Sequence, residues 1–296
     1  MQCATARHAR LALMSALTID RIAGALGAEL TGLDLTRRLG DGELDALRAA
    51  VVEHKVVFLR DQHYATQHLE RLTEQLGGHG HTPFLEAMPD HPGVVKVVRE
   101  AHEGGFNFGG AWHSDWSFQP APPAFTLLWS VDVPTFGGDT MWSNQQLAYE
   151  TLSDGLRATL DGLDVVHSAG WAYSADGVLA RSAKGRSMQI NTTDDALSEH
   201  AHPAVPTHPE SGAKVLFVNP TYSVRFDGWS AADSAPLLQH LYAHSTRDAF
   251  TCRFRWTPDT LAIWDNRSTQ HNALNDYRGV RRELHRTTVA GTAPTR

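Results

Sequence analysis

Apolar and polar residues alternate across positions 17–36, in ALTIDRIAG and AELTGLDL, with Gly24 and Gly27 as punctuation. A period of two predicts strands. At residues 40–53 the period lengthens. Leu44, Leu47 and Val51 recur at helical spacing behind Asp41, a suitable N-cap, and predict a helix. VVFLR at 56–60 predicts a buried strand, and 65–76 a second helix.

Proline and glycine dominate 77–111, and EGGFNFGG at 103–110 reads as a mobile loop. Strands are expected at 124–131 (AFTLLWSV) and 139–142, then a helix at 145–162. Residues 168–200 are rich in Ala, Ser and Gly, with weak periodicity. They predict a long excursion that covers the core, because loops of that length usually carry function or are disordered. Further strands are expected at 214–218, 221–226, 252–256, 260–264 and 285–291, with a helix at 230–245. Many short strands, few helices and frequent turns predict a β-sandwich or jelly roll with helices packed outside.

Composition narrows the function. The chain has 296 residues and a formal net charge of -7, without the basic face that a sequence-independent grip on nucleic acid needs. Two cysteines, Cys3 and Cys252, make neither a disulfide framework nor a cysteine-type zinc site. No run of 18 apolar residues exists, so no membrane span is expected, and the cytoplasm is the expected compartment. Arg7 and Arg10 before LALMSAL faintly resemble a signal peptide, but the apolar stretch is short. The simpler expectation is that translation starts at Met14, with 1–13 disordered or mis-assigned and 14–296 forming one domain.

The chemistry concentrates in AWHSDW, residues 111–116. In an extended segment His113 and Asp115 point to one face, so one imidazole and one carboxylate can reach one ion. Alone, this pair is more often a surface pair or a satisfied His–Asp hydrogen bond. His271, in LAIWDNRSTQHNALNDY (261–277), follows an apolar strand and is the best candidate for a third ligand, although taken alone it reads as an exposed loop histidine. Two histidines and one carboxylate on one face suit ferrous iron and leave coordination positions open. Arg282 and Arg286 follow in RRELHRTTV (281–289). On a strand, 282, 284 and 286 share one face. Two buried guanidiniums there would be costly unless each meets an anion.

These segments, in their order, resemble the TauD/TfdA family of Fe(II)/2-oxoglutarate dioxygenases. The likeness runs from about residue 17 to the C-terminus. It is carried by GAELTGLDL, HKVVFLRDQ, WHSDWSFQPAPPAFTLLWSVDVPTFGGDTMWSN, HPAVPTHPESGAKVLFVNPTYSVRFDGWS, FRWTPDTLAIWDNRSTQHNALNDY and RRELHRTTVAG. The resemblance implies a mainly β fold with flanking helices, a double-stranded β-helix of jelly-roll, cupin-like form. It implies Fe(II), 2-oxoglutarate and O2 as cofactor and co-substrates, with His113, Asp115 and His271 as the metal triad. Arg282 and Thr140 fall where the family holds the distal carboxylate of 2-oxoglutarate. Arg286 falls where relatives hold the substrate's acidic group.

A histidine just before proline also serves there in relatives. Here Thr82 separates His81 from Pro83, so His81, or alternatively His79, is the candidate. Asn107 is the nearest match to the family's polar residue ahead of the triad, out of register. Trp112, Trp116 and Phe118 are candidate pocket walls. The expected reaction hydroxylates a small anionic molecule (a sulfonate, sulfate ester, or aryloxy or alkyl carboxylate), releasing succinate and CO2, and the product can fragment. Asp115 argues against the halogenase branch, which replaces this carboxylate. Alternatives on the same scaffold are a natural-product hydroxylase or desaturase, a non-catalytic metal-binding jelly-roll protein, and a zinc hydrolase. A homo-oligomer, dimer or tetramer, is expected from relatives.

Overall fold

The computed structural model describes residues 17–296; the stretch 1–13, expected to be disordered or mis-assigned, lies outside the described residues. The strands are β1 (Thr18–Arg21), β2 (Ala28–Thr31), β3 (Val56–Leu59), β4 (Ala87–Met88), β5 (His91–Arg99), β6 (Phe125–Asp132) and β7 (Thr140–Asn144). They continue with β8 (Asp164–Ser168), β9 (Glu199–Pro203), β10 (Ser223–Phe226), β11 (Thr251–Phe254), β12 (Leu261–Asp265), β13 (Thr269–Ala273) and β14 (Arg282–Thr288). The helices are α1 (Asp41–His54), α2 (Thr66–Leu76), α3 (Gln145–Glu150), α4 (Asp154–Leu160), α5 (Gly170–Tyr173), α6 (Val178–Arg181) and α7 (Ala231–Ser245).

Eight strands form the main sheet in the order β1-β2-β3-β12-β6-β14-β5-β4. All neighbours are antiparallel except β2 and β3. Smaller sheets run β11-β7-β13 and β10-β8-β9. Strand alternation decides which core each residue joins. Val57, Leu59, Leu127, Trp129 and Ile263 pack with Leu47, Val51, Leu69 and Leu72 of α1 and α2. Their neighbours Val56, Phe58, Leu128, Ala262, Trp264 and Leu284 face the other way, onto Trp142 of β7 and Phe254 of β11. One sheet thus has helices on one side and a second sheet on the other. This is the expected jelly roll with flanking helices, and its sheets are not closed.

Several elements depart from the pattern along the chain. β5 spans nine residues inside the Pro/Gly-rich stretch and pairs with β14; Pro92 and Gly93 obscure it in the sequence. The helix expected at 145–162 breaks in two, where Ser153 caps α4 by accepting from the Leu156 amide at 3.4 Å. Residues 214–218 are not a strand; Leu216 and Phe217 donate instead to the carbonyls of Gln145 and Ala204. β13, which carries His271, occupies what reads as a polar turn. The 168–200 excursion folds into α5, α6 and a 3-10 turn at Asp194–Leu197. Its Ala172, Tyr173 and Leu179 pack against Trp116 and Tyr222.

Phe58 shows the cost of disturbing the inter-sheet core. It is fully buried, stacks on Phe254 at 3.7 Å between centroids, and meets Trp142 edge-on at 5.3 Å. Phe58→Ala should cost about 3–5 kcal/mol in urea unfolding, through lost transfer energy and a residual cavity. Phe136→Ser, at a side chain 71% exposed, should change stability by no more than about 0.5 kcal/mol in the same measurement.

Candidate active site

The segment 109–113 adds itself to the free edge of β13. His113 and His271 exchange both backbone hydrogen bonds, at 3.1 and 2.8 Å, and Ala273 donates to the Gly109 carbonyl at 2.9 Å. That register sets the two imidazoles side by side, 4.1 Å between ring centroids. The chain then turns, with Trp116 in the left-handed region at φ 48°. Asp115 therefore reaches the histidines from a turn and not from the strand that the two-residue spacing suggests. His113, Asp115 and His271 are all buried, and one ligand atom of each lies within 4.8 Å of the others. Asp115 Oδ1 stands 3.5 Å from His113 Nε2 and 3.9 Å from His271 Nε2.

The donor set fits a divalent metal. His113 Nδ1 lies 2.7 Å from the Ala111 carbonyl, which fixes the proton on Nδ1 and leaves the Nε2 lone pair facing the cluster. Asp115 Oδ2 accepts from Thr126 Oγ1 at 2.7 Å, and Thr126 accepts from Asn266 Nδ2 at 2.8 Å. Asn266 is held in turn by Trp264 Nε1 at 2.9 Å. Oδ1 is left toward the imidazoles. Burial pushes the Asp115 carboxyl up, but the Arg286 guanidinium beside it outweighs this, and the carboxyl sits well below the ordinary range. Burial, and then His113, hold His271 well below the ordinary histidine value, so one ring nitrogen keeps its lone pair for a metal. Thr126 and Asn266 were not singled out from the sequence. Their only trace is a polar residue inside the apolar run AFTLLW and another just after LAIWD.

β14 places its arginines as the strand period requires. Arg282, Leu284 and Arg286 face the space between the sheets, while Glu283 and His285 pair with each other on the opposite side at 3.0 Å. Arg286 Nη2 lies 2.7 Å from Asp115 Oδ1, off the hydrogen-bond direction, and its guanidinium sits 5.0 Å over the Trp116 ring. Arg282 is buried between the rings of Trp256 and Tyr277, each 5.9 Å away. Its Nε and Nη2 have no acceptor among the described residues, and burial pushes its pKa below the ordinary value. A guanidinium so placed fits a carboxylate brought from outside.

Trp256 also donates through Nε1 to Thr140 Oγ1 at 3.0 Å, which ties Thr140 to the same corner. The turn leading to Thr140 needs its glycines. A Cβ on Gly137 (φ 74°) would stand 2.6 Å from the Asp276 carbonyl, and the Gly138 amide donates to Asp276 Oδ1 at 2.7 Å.

Two cavities meet here. One is walled by His113, Asp115, Arg286 and Trp116 and encloses about 370 Å³, counting its open mouth. The other is faced by Arg282, Arg99 and Tyr277. Phe106 and Phe108 wall both. Asn107 between them is buried. Its Oδ1 accepts from Arg99 at 3.3 Å and Tyr277 at 3.4 Å, and its Nδ2 donates to the Ala273 carbonyl at 3.2 Å.

Three expectations need correction. The His81 side chain is exposed and lines neither cavity; its carbonyl accepts from Gln119 at 3.0 Å. The Gly80 amide, bonded to the Thr288 carbonyl at 2.8 Å, docks this segment on the end of β14. His79 there faces Gly93 and stands 3.4 Å from Glu74, so it does not reach the triad either. Of the expected walls, Trp116 lines the cavity. Trp112 and Phe118 do not, and Phe118 packs behind, 5.0 Å from Tyr222.

Residues 18–288 match the model of the "Taurine catabolism dioxygenase TauD, TfdA family". An alpha-ketoglutarate-dependent sulfate ester dioxygenase of Pseudomonas putida is 35% identical, over 98% of this chain and 93% of its own. An alkylsulfatase of Acinetobacter baylyi is 31% identical, over 94% and 86%. Among solved structures, a taurine dioxygenase from Burkholderia xenovorans superposes with a TM-score of 0.78 at 33% identity, covering 94% of this chain and 92% of that one. The chain therefore belongs to the TauD/TfdA family and is an oxidoreductase, an Fe(II)- and 2-oxoglutarate-dependent dioxygenase that uses O2.

Proposed function

We propose that this dioxygenase oxidises a small anionic organic molecule at a C–H bond near its acidic group, while 2-oxoglutarate is converted to succinate and CO2. The acidic group is a sulfonate, a sulfate ester, or an aryloxy or alkyl carboxylate. One observation carries the reading: Arg286 is buried in the wall of the triad's cavity, with Nε and Nη2 lacking hydrogen-bond acceptors among the described residues. Asp115 stands 2.7 Å away and offsets the charge but accepts no hydrogen bond from it, so the unspent donors of this buried guanidinium suit an incoming anion.

In this reading His113, Asp115 and His271 hold the ferrous ion, which when bound supplies oxygen activation. Arg282 and Thr140 orient 2-oxoglutarate by its distal carboxylate. Arg286 orients the substrate anion so that a neighbouring C–H faces the triad, and the aromatic walls exclude water. The sulfate ester dioxygenase at 35% identity supports the anionic class. None of the described helices is long and apolar enough to cross a membrane. Cys252 is buried and has no disulfide partner among the described residues, which accords with a reducing compartment, the cytoplasm. An assembly of two or four copies is the quaternary state we expect, and light scattering on the purified chain reads it.

The deciding experiment is a panel of sulfonates, sulfate esters and aryloxyalkanoates scored by substrate-dependent succinate release. A panel in which no anion stimulates release would refute the reading. At saturating ferrous iron, whose charge replaces that of Arg286 beside Asp115, Arg286→Ala should lower kcat/KM for the preferred anion about 10- to 100-fold, the worth of a charge-assisted contact, while slow uncoupled turnover of 2-oxoglutarate persists. Arg282→Ala should instead raise KM for 2-oxoglutarate, also about 10- to 100-fold, leaving the order of substrate preference intact. Asp115→Ala should weaken ferrous-iron binding by more than about tenfold in an anaerobic titration and abolish coupled turnover.

A further inference from the structure

The cavity beside the triad is aromatic. Phe106, Phe108, Trp116, Trp171, Tyr173 and Tyr222 line it. Apart from neutral phenols, the ionisable groups on its wall are His113, Asp115 and Arg286. The carboxylate of Asp115 already meets Arg286 at 2.7 Å and accepts from Thr126 at 2.7 Å. A substrate ammonium would therefore lose its hydration there and find no free counter-charge. Aromatic faces do attract cations. Here, however, Arg286 already lies 5.0 Å over Trp116 and would repel a second one. An apolar tail meets the opposite situation, because every aromatic surface it covers is removed from water.

The mouth of the cavity adds a second observation. Trp171 of α5 is 47% exposed, unusual for so large an apolar side chain. Its ring meets Phe106 edge-to-face at 5.8 Å and 84°. This contact joins the 168–200 excursion to the 103–110 loop, across the opening of the same cavity. The pair offers an apolar wall in the same cavity as Arg286, with Trp171 exposed where Arg286 is buried.

We infer that the substrate carries an apolar tail, alkyl or aryl, behind its anionic group, and that Trp171 with Phe106 selects for that tail against a zwitterion. The inference rests on the assignment of Arg286 to the substrate anion. It separates this chain's substrate from small amino-sulfonates within the wider anionic class.

The test uses the full chain with ferrous iron and 2-oxoglutarate, and begins with a matched pair. Taurine and 1-propanesulfonate have the same size and differ by an ammonium in place of a methyl. Alkanesulfonates of increasing length follow, with 1-octanol as the neutral control for the octyl compound. Succinate release gives kcat/KM, and tryptophan fluorescence under anaerobic conditions gives Kd. Propanesulfonate should exceed taurine by about tenfold or more in kcat/KM, as expected for burying an ammonium without a partner. Affinity should rise about fourfold per added methylene until the tail passes this wall. Trp171→Ala should reduce the octyl-to-propyl affinity ratio by about tenfold, and Trp171→Phe should restore most of it. Taurine used as well as propanesulfonate, or an octyl-to-propyl ratio unchanged in Trp171→Ala, would overturn the inference. Octanol binding as tightly as octanesulfonate would instead overturn the anion assignment, and this inference with it.

Discussion

The Arg286–Asp115 contact is the constraint around which the site is built. A carboxylate buried without compensation would be protonated and useless as a metal ligand. Here a guanidinium from β14 stands against it, and Thr126 donates to its second oxygen. The same contact buries a cation whose remaining donors face a cavity. Removing either partner would leave an unpaired charge in the interior, which costs far more than a surface pair. One interaction therefore keeps the carboxylate ionised and leaves the guanidinium's remaining donors in the cavity wall.

The jelly roll makes this affordable by separating functions between the faces of its strands. On β14, Leu284 belongs to the inter-sheet core while Arg282 and Arg286 flank it on the same face. On β6, Leu127 and Trp129 bind the sheet to α1 and α2, while Thr126 faces the triad. The hydrophobic packing that stabilises the sheet thus also holds the polar groups in register. Rigid strands supply His271, Arg282, Arg286 and Thr140, whereas the 103–110 loop and the 168–200 excursion supply the aromatic walls. This division suits a family in which the oxidation chemistry is shared and the substrate varies.

Much of the core of the site was legible in the sequence, and the reasons can be named. Arg282 and Arg286 are four residues apart on β14, so strand geometry alone puts them on one face, whereas the short spacing of His113 and Asp115 keeps them close although a turn, not a strand, brings Asp115 round. The fold class followed from strand alternation and from family motifs spread along the chain. His81 illustrates the opposite case. One inserted residue, Thr82, changes what the backbone presents, and only the docking of Gly80 on Thr288 shows that His81 ends in solvent. β5 and β13 were illegible for a similar reason. Their stability comes from pairing with β14 and β7, not from their own apolar pattern.

The sequence by itself determined the donor chemistry: two imidazoles, a carboxylate and two guanidiniums, with the two guanidiniums spaced along one strand of period two. Only the tertiary structure decided that His271, 158 positions beyond His113, exchanges backbone hydrogen bonds with it. It also decided that Ala111 orients the imidazole, that Thr126 and Asn266 hold the carboxylate, and that Trp171 reaches Phe106. Local spacing is a property of the backbone's short repeat. Which distant segments share a sheet edge is settled by burial of the whole core, and no single stretch of the chain encodes that.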